Sequence, residues 1–276
     1  MQYSFEGRIR YSEIAPDGRL TLESLIDYFQ DCSTFQSEDL GVGLAYLKEN
    51  HIVWLVNYWQ IQISRYPELG EAVRTGTQPY EFRGFMGLRN FIMETKDGER
   101  LVTANSVWSL MDCGRMLPAE VPAFMRERYQ LCERLEMEYE PRKIALPKEN
   151  GVPQESIVVA PYHLDTNHHV NNGQYVRLAM GALPEGARVS QLRVEYRRQA
   201  RLGDVITPVL YGAQEPGVQE RRIETPETAG AQERRSEASE PADAQGAAFG
   251  AQDAPRLTVA LNAEDGKPYA VAQMRL

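Results

Sequence analysis

The stretch LTLESLIDYFQDCSTFQSEDLG, residues 20–41, decides the architecture. Leu22, Leu25, Ile26, Phe29, Cys32 and Phe35 recur at helical spacing and mark one apolar face. Thr21 is placed to cap the start and Gly41 the end. Before it, a short strand at about 3–12 leads into a turn at Pro16-Asp17-Gly18. After it come long runs rich in β-branched and aromatic residues: HIVWLVNYWQIQISRY (51–66), EAVRTGTQPYEFRGF (71–85), LRNFIMETK (88–96) and RLVTANSVWSLMD (100–112). One long helix followed by an antiparallel meander is an α+β unit in which the sheet wraps the helix. The order returns downstream. IVVAPYHL (157–164) reads as a strand, a helix is expected from about Gly173 to Met180, and four strands follow. Identity between the halves is low, so the repeat is one of pattern.

The chain has 276 residues, enough for roughly two domains at about 150 residues each. The reading gives a first unit at 1–115, a linker at 116–150 with one helix at roughly 122–136, and a second unit at 151–276. Residues 213–255 stand apart: ten Ala and seven Glu, with Val218, Ile223 and Phe249 the only large apolar residues. Such a segment buries too little apolar surface to offset its ordering entropy, so a disordered acidic insertion is expected there. It carries nine acidic and four basic residues, more than half of the chain's net charge of −9. That charge argues against a nucleic-acid partner. No apolar run reaches the ~18–20 residues of a membrane span, and neither a signal nor a transit peptide is legible, so a bacterial cytoplasmic protein is expected. Cys32, Cys113 and Cys132 are too scattered for a disulfide framework or a zinc site and read as buried small hydrophobes. The oligomeric state is open, a homodimer included.

The densest chemistry is His163-Leu164-Asp165-Thr166-Asn167-His168-His169-Val170-Asn171-Asn172, on a strand-to-helix turn. Unpaired N–H groups at a helix start suit a polarised carbonyl, and Asn171 or Asn172 can cap that helix. A carboxylate, carboxamides and imidazoles together are what a water-activating site needs. The spacing lacks the i, i+4 histidine pair of a zinc helix, which weakens a metal reading; no cofactor is expected. On spacing alone, a capped polar turn without chemistry stays open.

LDTNHHVNNGQYV (164–176) resembles the signature of the acyl-ACP thioesterases, roughly LD-x-N-x-HVNN-x-x-Y, and VEYRRQA (194–200) is similar to the family's LEYRRE element. RIRYSEIAPDGRLTLESLIDYFQD (8–31) and the SVWSLMD…RMLP…VP stretch look like its N-terminal half. The resemblance implies a tandem hotdog fold. It implies hydrolysis of fatty acyl-[acyl-carrier-protein] thioesters to free fatty acid and carrier thiol, terminating fatty acid synthesis, with an acyl carrier protein as partner. By position it makes Asp165, Asn167 and His169 catalytic, with His168 at a variable position, either exposed or packed behind the reacting groups. Asn171 and Asn172 complete the motif as substrate-binding residues. Gln199 stands where the family has a catalytic glutamate, and Ala200 where a cysteine follows it. Gln199 can position a water or donate a hydrogen bond but cannot act as a base, so the burden falls on Asp165 and His169; Glu195 is a substitute or, more simply, a salt-bridge partner. The first half would line an acyl tunnel, with Trp54 and Trp59, beside Tyr58 and Phe29, setting its depth. Arginines at 193, 197, 198 and 201, or at 126, 128 and 134, would meet the acidic carrier. An acyl-CoA thioesterase and a non-catalytic acyl-binding hotdog protein are the alternatives.

Overall fold

The computed structural model describes residues 2–148, 150–212 and 256–276. The acidic insertion expected at 213–255 lies outside the described residues. The first half is β1 (Tyr3–Arg8), a 3-10 turn at Tyr11–Glu13, α1 (Leu22–Asp39), α2 (Leu44–Glu49), then β2 (Ile52–Ile63), β3 (Ala72–Arg83), β4 (Met86–Thr95) and β5 (Arg100–Asp112). Next come β6 (Leu117–Pro118), α3 (Ala123–Arg128), β7 (Val152–Pro153) and β8 (Ile157–Val158). A 3-10 turn at Pro161–His163 leads into α4 (Asn172–Gly181), followed by β9 (Gln191–Tyr196), β10 (Val205–Tyr211), β11 (Arg256–Asn262) and β12 (Pro268–Arg275). The expected strand at 3–12 thus ends at Arg8.

All the pairings are antiparallel, in the order β1-β3-β4-β5-β2-β9-β12-β11-β10-β7, with β6 on β5 and β8 on β10. The join between the halves is β2 against β9, from Tyr58 opposite Glu195 to Gln62 opposite Gln191. Each half is a helix laid on a curled antiparallel meander, so the chain is a double hotdog.

Alternation gives every strand two faces. Trp59 and Ile61 of β2, Phe91 and Met93 of β4, and Leu192 and Val194 of β9 are buried on the helix side. Phe29 of α1 lies against Trp59 and Phe91, with ring centroids 6.0 and 5.1 Å away. Thr21 Oγ1 accepts from the Ser24 N–H, the cap that the sequence indicated. α1 and α4 pack side by side. They cross closely at Gly173, where a Cβ would sit 3.3 Å from the Glu23 carbonyl oxygen and from Asp27 Oδ1.

The opposite face carries Gln60, Gln78, Asn90, Arg193 and Glu195, all buried. The chain after α3 covers them. The helix expected at 122–136 stops at Arg128, because the following residues are drawn out as a strap over this polar face. Gln78 donates to the Glu133 carbonyl, and Asn90 Oδ1 accepts from the Leu135 N–H. Gln60 donates to the Glu138 carbonyl and accepts from the Glu140 N–H. Arg193 donates to the Pro141 carbonyl and pairs with Glu140 at 2.9 Å. Glu195 Oε2 accepts from the Ile144 N–H at 3.0 Å and from Arg197 at 2.7 Å. Each buried polar group is answered by the strap's backbone, which a helix, its own groups paired internally, could not offer.

Glu195 is therefore a salt-bridge partner under the strap. Glu195→Ala strands the buried Ile144 N–H and should lower unfolding free energy by about 1–3 kcal/mol, read from urea denaturation. An unchanged midpoint would show that the strap's bond to Glu195 contributes nothing.

Candidate functional site

Two turns 150 residues apart are built alike. In the first, the Ala15 N–H donates to the Arg19 carbonyl and Gly18 N–H to the Ala15 carbonyl. In the second, the Asp165 N–H donates to the His169 carbonyl and His168 N–H to the Asp165 carbonyl. Bridges join Ile14 to Leu20 and Leu164 to Val170. Upstream, Glu13 Oε2 accepts from the Arg10 N–H just as His163 Nδ1 accepts from the Ala160 N–H. Gly18 and His168 both sit in the left-handed region, at φ +80° and +61°. Histidine is among the few non-glycine residues enriched there.

The side chains differ between the copies. Where the first turn has Ala15, Asp17 and Arg19, the second has Asp165, Asn167 and His169. Asp165 Oδ1 accepts from the Asn167 N–H at 2.8 Å and the His169 N–H at 3.2 Å, so it fixes the loop that presents both side chains. No hydrogen bond ties the carboxylate to the His169 imidazole among the described residues. His169 is half-buried and His168 exposed. His163 is buried, and burial pulls its pKa down, with Arg177 adding to the effect. With Nδ1 accepting a backbone N–H, it is a structural, neutral histidine.

Asn171 caps α4, its Oδ1 accepting from Gly173 N–H at 2.7 Å. Asn172 Nδ2 donates to Gln30 Oε1 of α1 at 2.8 Å. The Gln174 N–H is taken by the Asn171 carbonyl. Of the first-turn donors expected to polarise a carbonyl, the Asn172 N–H is the one without an acceptor among the described residues. Gln199 is exposed, directly before Ala200. Ala200 is locked to the turn: its carbonyl accepts from the Val170 N–H, and its N–H donates to Tyr175 Oη.

A cavity of about 180 Å³ opens between α1 and the first-half sheet. Trp54, Phe82, Leu88 and Trp108 give it apolar walls, and Ser33, Ser37 and Arg89 a polar side. Asn167 is the one lining residue from the second half, so the turn and the cavity meet there. Trp54 lines the cavity. Trp59 and Phe29 are closed into the core and do not line it. Tyr58 faces the strap side, its hydroxyl accepting from Arg193. Arg89 escaped the sequence reading, because an arginine in an alternating strand reads as a solvent-facing residue.

Cys32 is buried as expected, and burial pushes its thiol up to about 12. Cys113 is exposed and Cys132 lies in the strap beyond α3, against the expectation that all three are buried and that Cys132 is helical. The arginine clusters are largely neutralised. Arg193 is buried on Glu140, Arg197 pairs with Glu195, Arg198 with Asp265 and Arg126 with Glu120. Among the described residues no group of three or more metal-ligating side chains gathers, and no helix is long and apolar enough to cross a membrane.

Residues 1–129 match the acyl-ACP thioesterase N-terminal domain, and residues 135–238 the acyl-ACP thioesterase C-terminal domain. The chain belongs to the acyl-ACP thioesterase family. It is similar to an acyl-[acyl-carrier-protein] hydrolase of Cuphea viscosissima, 27% identical over 217 residues, which cover 73% of the chain and 52% of that protein. A palmitoyl-acyl carrier protein thioesterase of Gossypium hirsutum is 27% identical over 221 residues, 72% of the chain and 52% of that protein. The chain thus spans about half the length of the curated relatives it matches. In fold it resembles an acyl-ACP thioesterase from Bacteroides thetaiotaomicron, with a TM-score of 0.77, 18% identity and coverage of 99% and 96%. It also resembles a 12:0-ACP thioesterase from Umbellularia californica, with a TM-score of 0.76, 16% identity and coverage of 99% and 92%.

The α1–α4 crossing beside the turn carries a titratable group. Burial pushes the Asp27 carboxyl up to about 6, with Asp31, Glu23 and Glu13 adding to the rise. The fold then favours the protonated form, and stability is lost as pH rises from the ordinary value of 3.8 through about 6. Asp27→Asn should match the parent's melting temperature at pH 4 and exceed it at pH 8. Equal melting temperatures at both pH values would remove Asp27 from the pH response.

Proposed function

We propose that the chain hydrolyses fatty acyl-[acyl-carrier-protein] thioesters to free fatty acid and carrier thiol. Family membership supports this reading, and the observation that carries it is Asn167, which joins the Asp165–His169 turn to the cavity. Residues 1–115 supply the acyl cavity, 116–150 the linker and 151–276 the catalytic turn, with 213–255 as an insertion.

The acyl chain enters the cavity and its carbonyl rests near Asn167, whose carboxamide places the carbonyl or the water. The Asn172 N–H at the start of α4 is available to the developing oxyanion. His169 takes a proton from water as the hydroxide adds to the carbonyl carbon. The tetrahedral intermediate collapses, the C–S bond breaks, and the thiolate leaving group takes the proton back from His169. Asp165 holds the turn, and its negative charge lies on the loop that presents His169. Gln199 orients water by hydrogen bonding and cannot remove a proton. Ala200 offers no nucleophile, so water attacks directly. Of the arginines offered for an acidic carrier, Arg128, Arg134 and Arg201 have no carboxylate partner among the described residues.

The test is free-thiol release from medium- and long-chain acyl-carrier and acyl-CoA substrates. His169→Ala should lower turnover about 10²–10⁴-fold. Asp165→Asn keeps an acceptor for the two backbone N–H groups, so its loss of turnover reports the missing charge. Near-normal turnover in both variants would overturn the assignment. Absence of thiol release from the parent, with acyl binding retained, would make the chain a binding protein, the reading that Gln199 favours. Faster release from acyl-CoA would change the carrier.

A further inference from the structure

Arg89 lies on the inward face of β4, in line with Phe91 and Met93, and only 8% of its surface is exposed. Both of its hydrogen bonds leave from Nη1, to Gln36 Oε1 at 2.6 Å and Thr77 Oγ1 at 3.2 Å. Its guanidinium carbon lies 5.4 Å from the centre of the Tyr129 ring. Its hydrogen-bond partners are neutral, no carboxylate pairs with it among the described residues, and burial keeps neighbouring Cys32 a neutral thiol. Burial pulls the Arg89 pKa down from its ordinary value, the sign of a charge taken out of water without a counter-ion, which is unfavourable. The proposed hydrolase needs nothing of the kind: a saturated chain asks for an apolar lining throughout.

The position says what the charge meets. Arg89 borders the same cavity as Asn167. β4 is separated from β2 by β5, so Arg89 stands two strands, roughly 10 Å, from the strand that carries Trp54 and borders the second half. Asn167 comes from that second half, while Ser33 and Ser37 line the cavity on the α1 side. The cavity thus has a polar, cationic side within its apolar walls. Its volume of about 180 Å³ is close to the ~150 Å³ of an engineered cavity that binds benzene, which suits an acyl group of roughly six to eight carbons.

We propose that Arg89 makes the cavity select acyl groups whose far end carries a carboxylate, the half-thioesters of medium-length dicarboxylic acids. The inference rests on the hydrolase reading and narrows its substrate class. The carboxylate receives the guanidinium's free N–H groups in a charge-assisted pair, while the apolar walls hold the methylenes.

The experiment compares octanoyl and 7-carboxyheptanoyl thioesters, on carrier protein and on coenzyme A, with the full chain. The expected result is a kcat/KM at least about tenfold higher for the carboxylated chain. Arg89→Met should lower the ratio of the two kcat/KM values, carboxylated over octanoyl, at least about tenfold, and Arg89→Lys should keep part of that ratio. Calorimetry with free octanedioate and octanoate supplies a readout independent of turnover. Octanedioate should bind more tightly to the parent and lose that advantage in Arg89→Met. A parent that prefers octanoyl, or an Arg89→Met variant that slows both substrates equally, overturns the inference. Hydrolysis of octanoyl without octanedioate binding sinks the inference and leaves the hydrolase reading. Octanedioate binding through Arg89 without cleavage of any thioester does the reverse.

Discussion

The five-residue register between β2 and β9 is the constraint on which the rest of the molecule depends. It turns two curled meanders into one continuous sheet and so gives the whole chain two faces. One face takes both helices. α4 has ten residues, too few to be stable alone in water, and it is held by packing on α1 and by the Asn172–Gln30 bond. The other face would expose a row of polar groups across the junction. The strap covers them, and its backbone answers Gln60 of the first half and Arg193 and Glu195 of the second in a single pass. The junction, the helix pair and the strap therefore stabilise one another.

The duplicated turn separates scaffold from chemistry. Its shape is held by backbone hydrogen bonds and by a side-chain acceptor three residues into the 3-10 turn, a role that Glu13 and His163 fill equally well. The side chains at the other positions are free to diverge. Asp165 and His169 stand where the first copy has Ala15 and Arg19. The cavity is lined mainly by the first half and the Asp165–His169 turn belongs to the second, and they meet at Asn167 because β2 and β9 bring the halves side by side.

Much of the fold was legible because its signals are local. Helical spacing from Leu22 to Cys32 and the Thr21 cap mark α1, alternation marks Trp59 to Ile63, and Asn171 caps α4 as read. What was hidden depends on distant partners. The strap looks helical in sequence from 122 to 136, and only the polar groups of the sheet face show why Tyr129 onward is extended. Trp54 and Trp59 read alike as aromatics on one strand, yet one borders the cavity and the other is sealed against Phe29 and Phe91. Arg89 gave no local signal, since its inward direction follows from the register of β4 with β3 and β5.

The departure of Gln199 from the family pattern leaves the question of which group accepts a proton. Glu195 is committed under the strap to the Ile144 N–H and Arg197, on the sheet face away from the helices. His163 has Nδ1 occupied by a backbone N–H. Asp165 receives two backbone N–H groups on one oxygen, which commits its carboxylate to holding the turn. His169 remains, with an imidazole free of protein hydrogen bonds among the described residues and a backbone fixed by Asp165. For the proposed hydrolysis, with Gln199 in place of a carboxylate, proton transfer falls to this histidine, with Asn167 and Gln199 left to orient what it acts on.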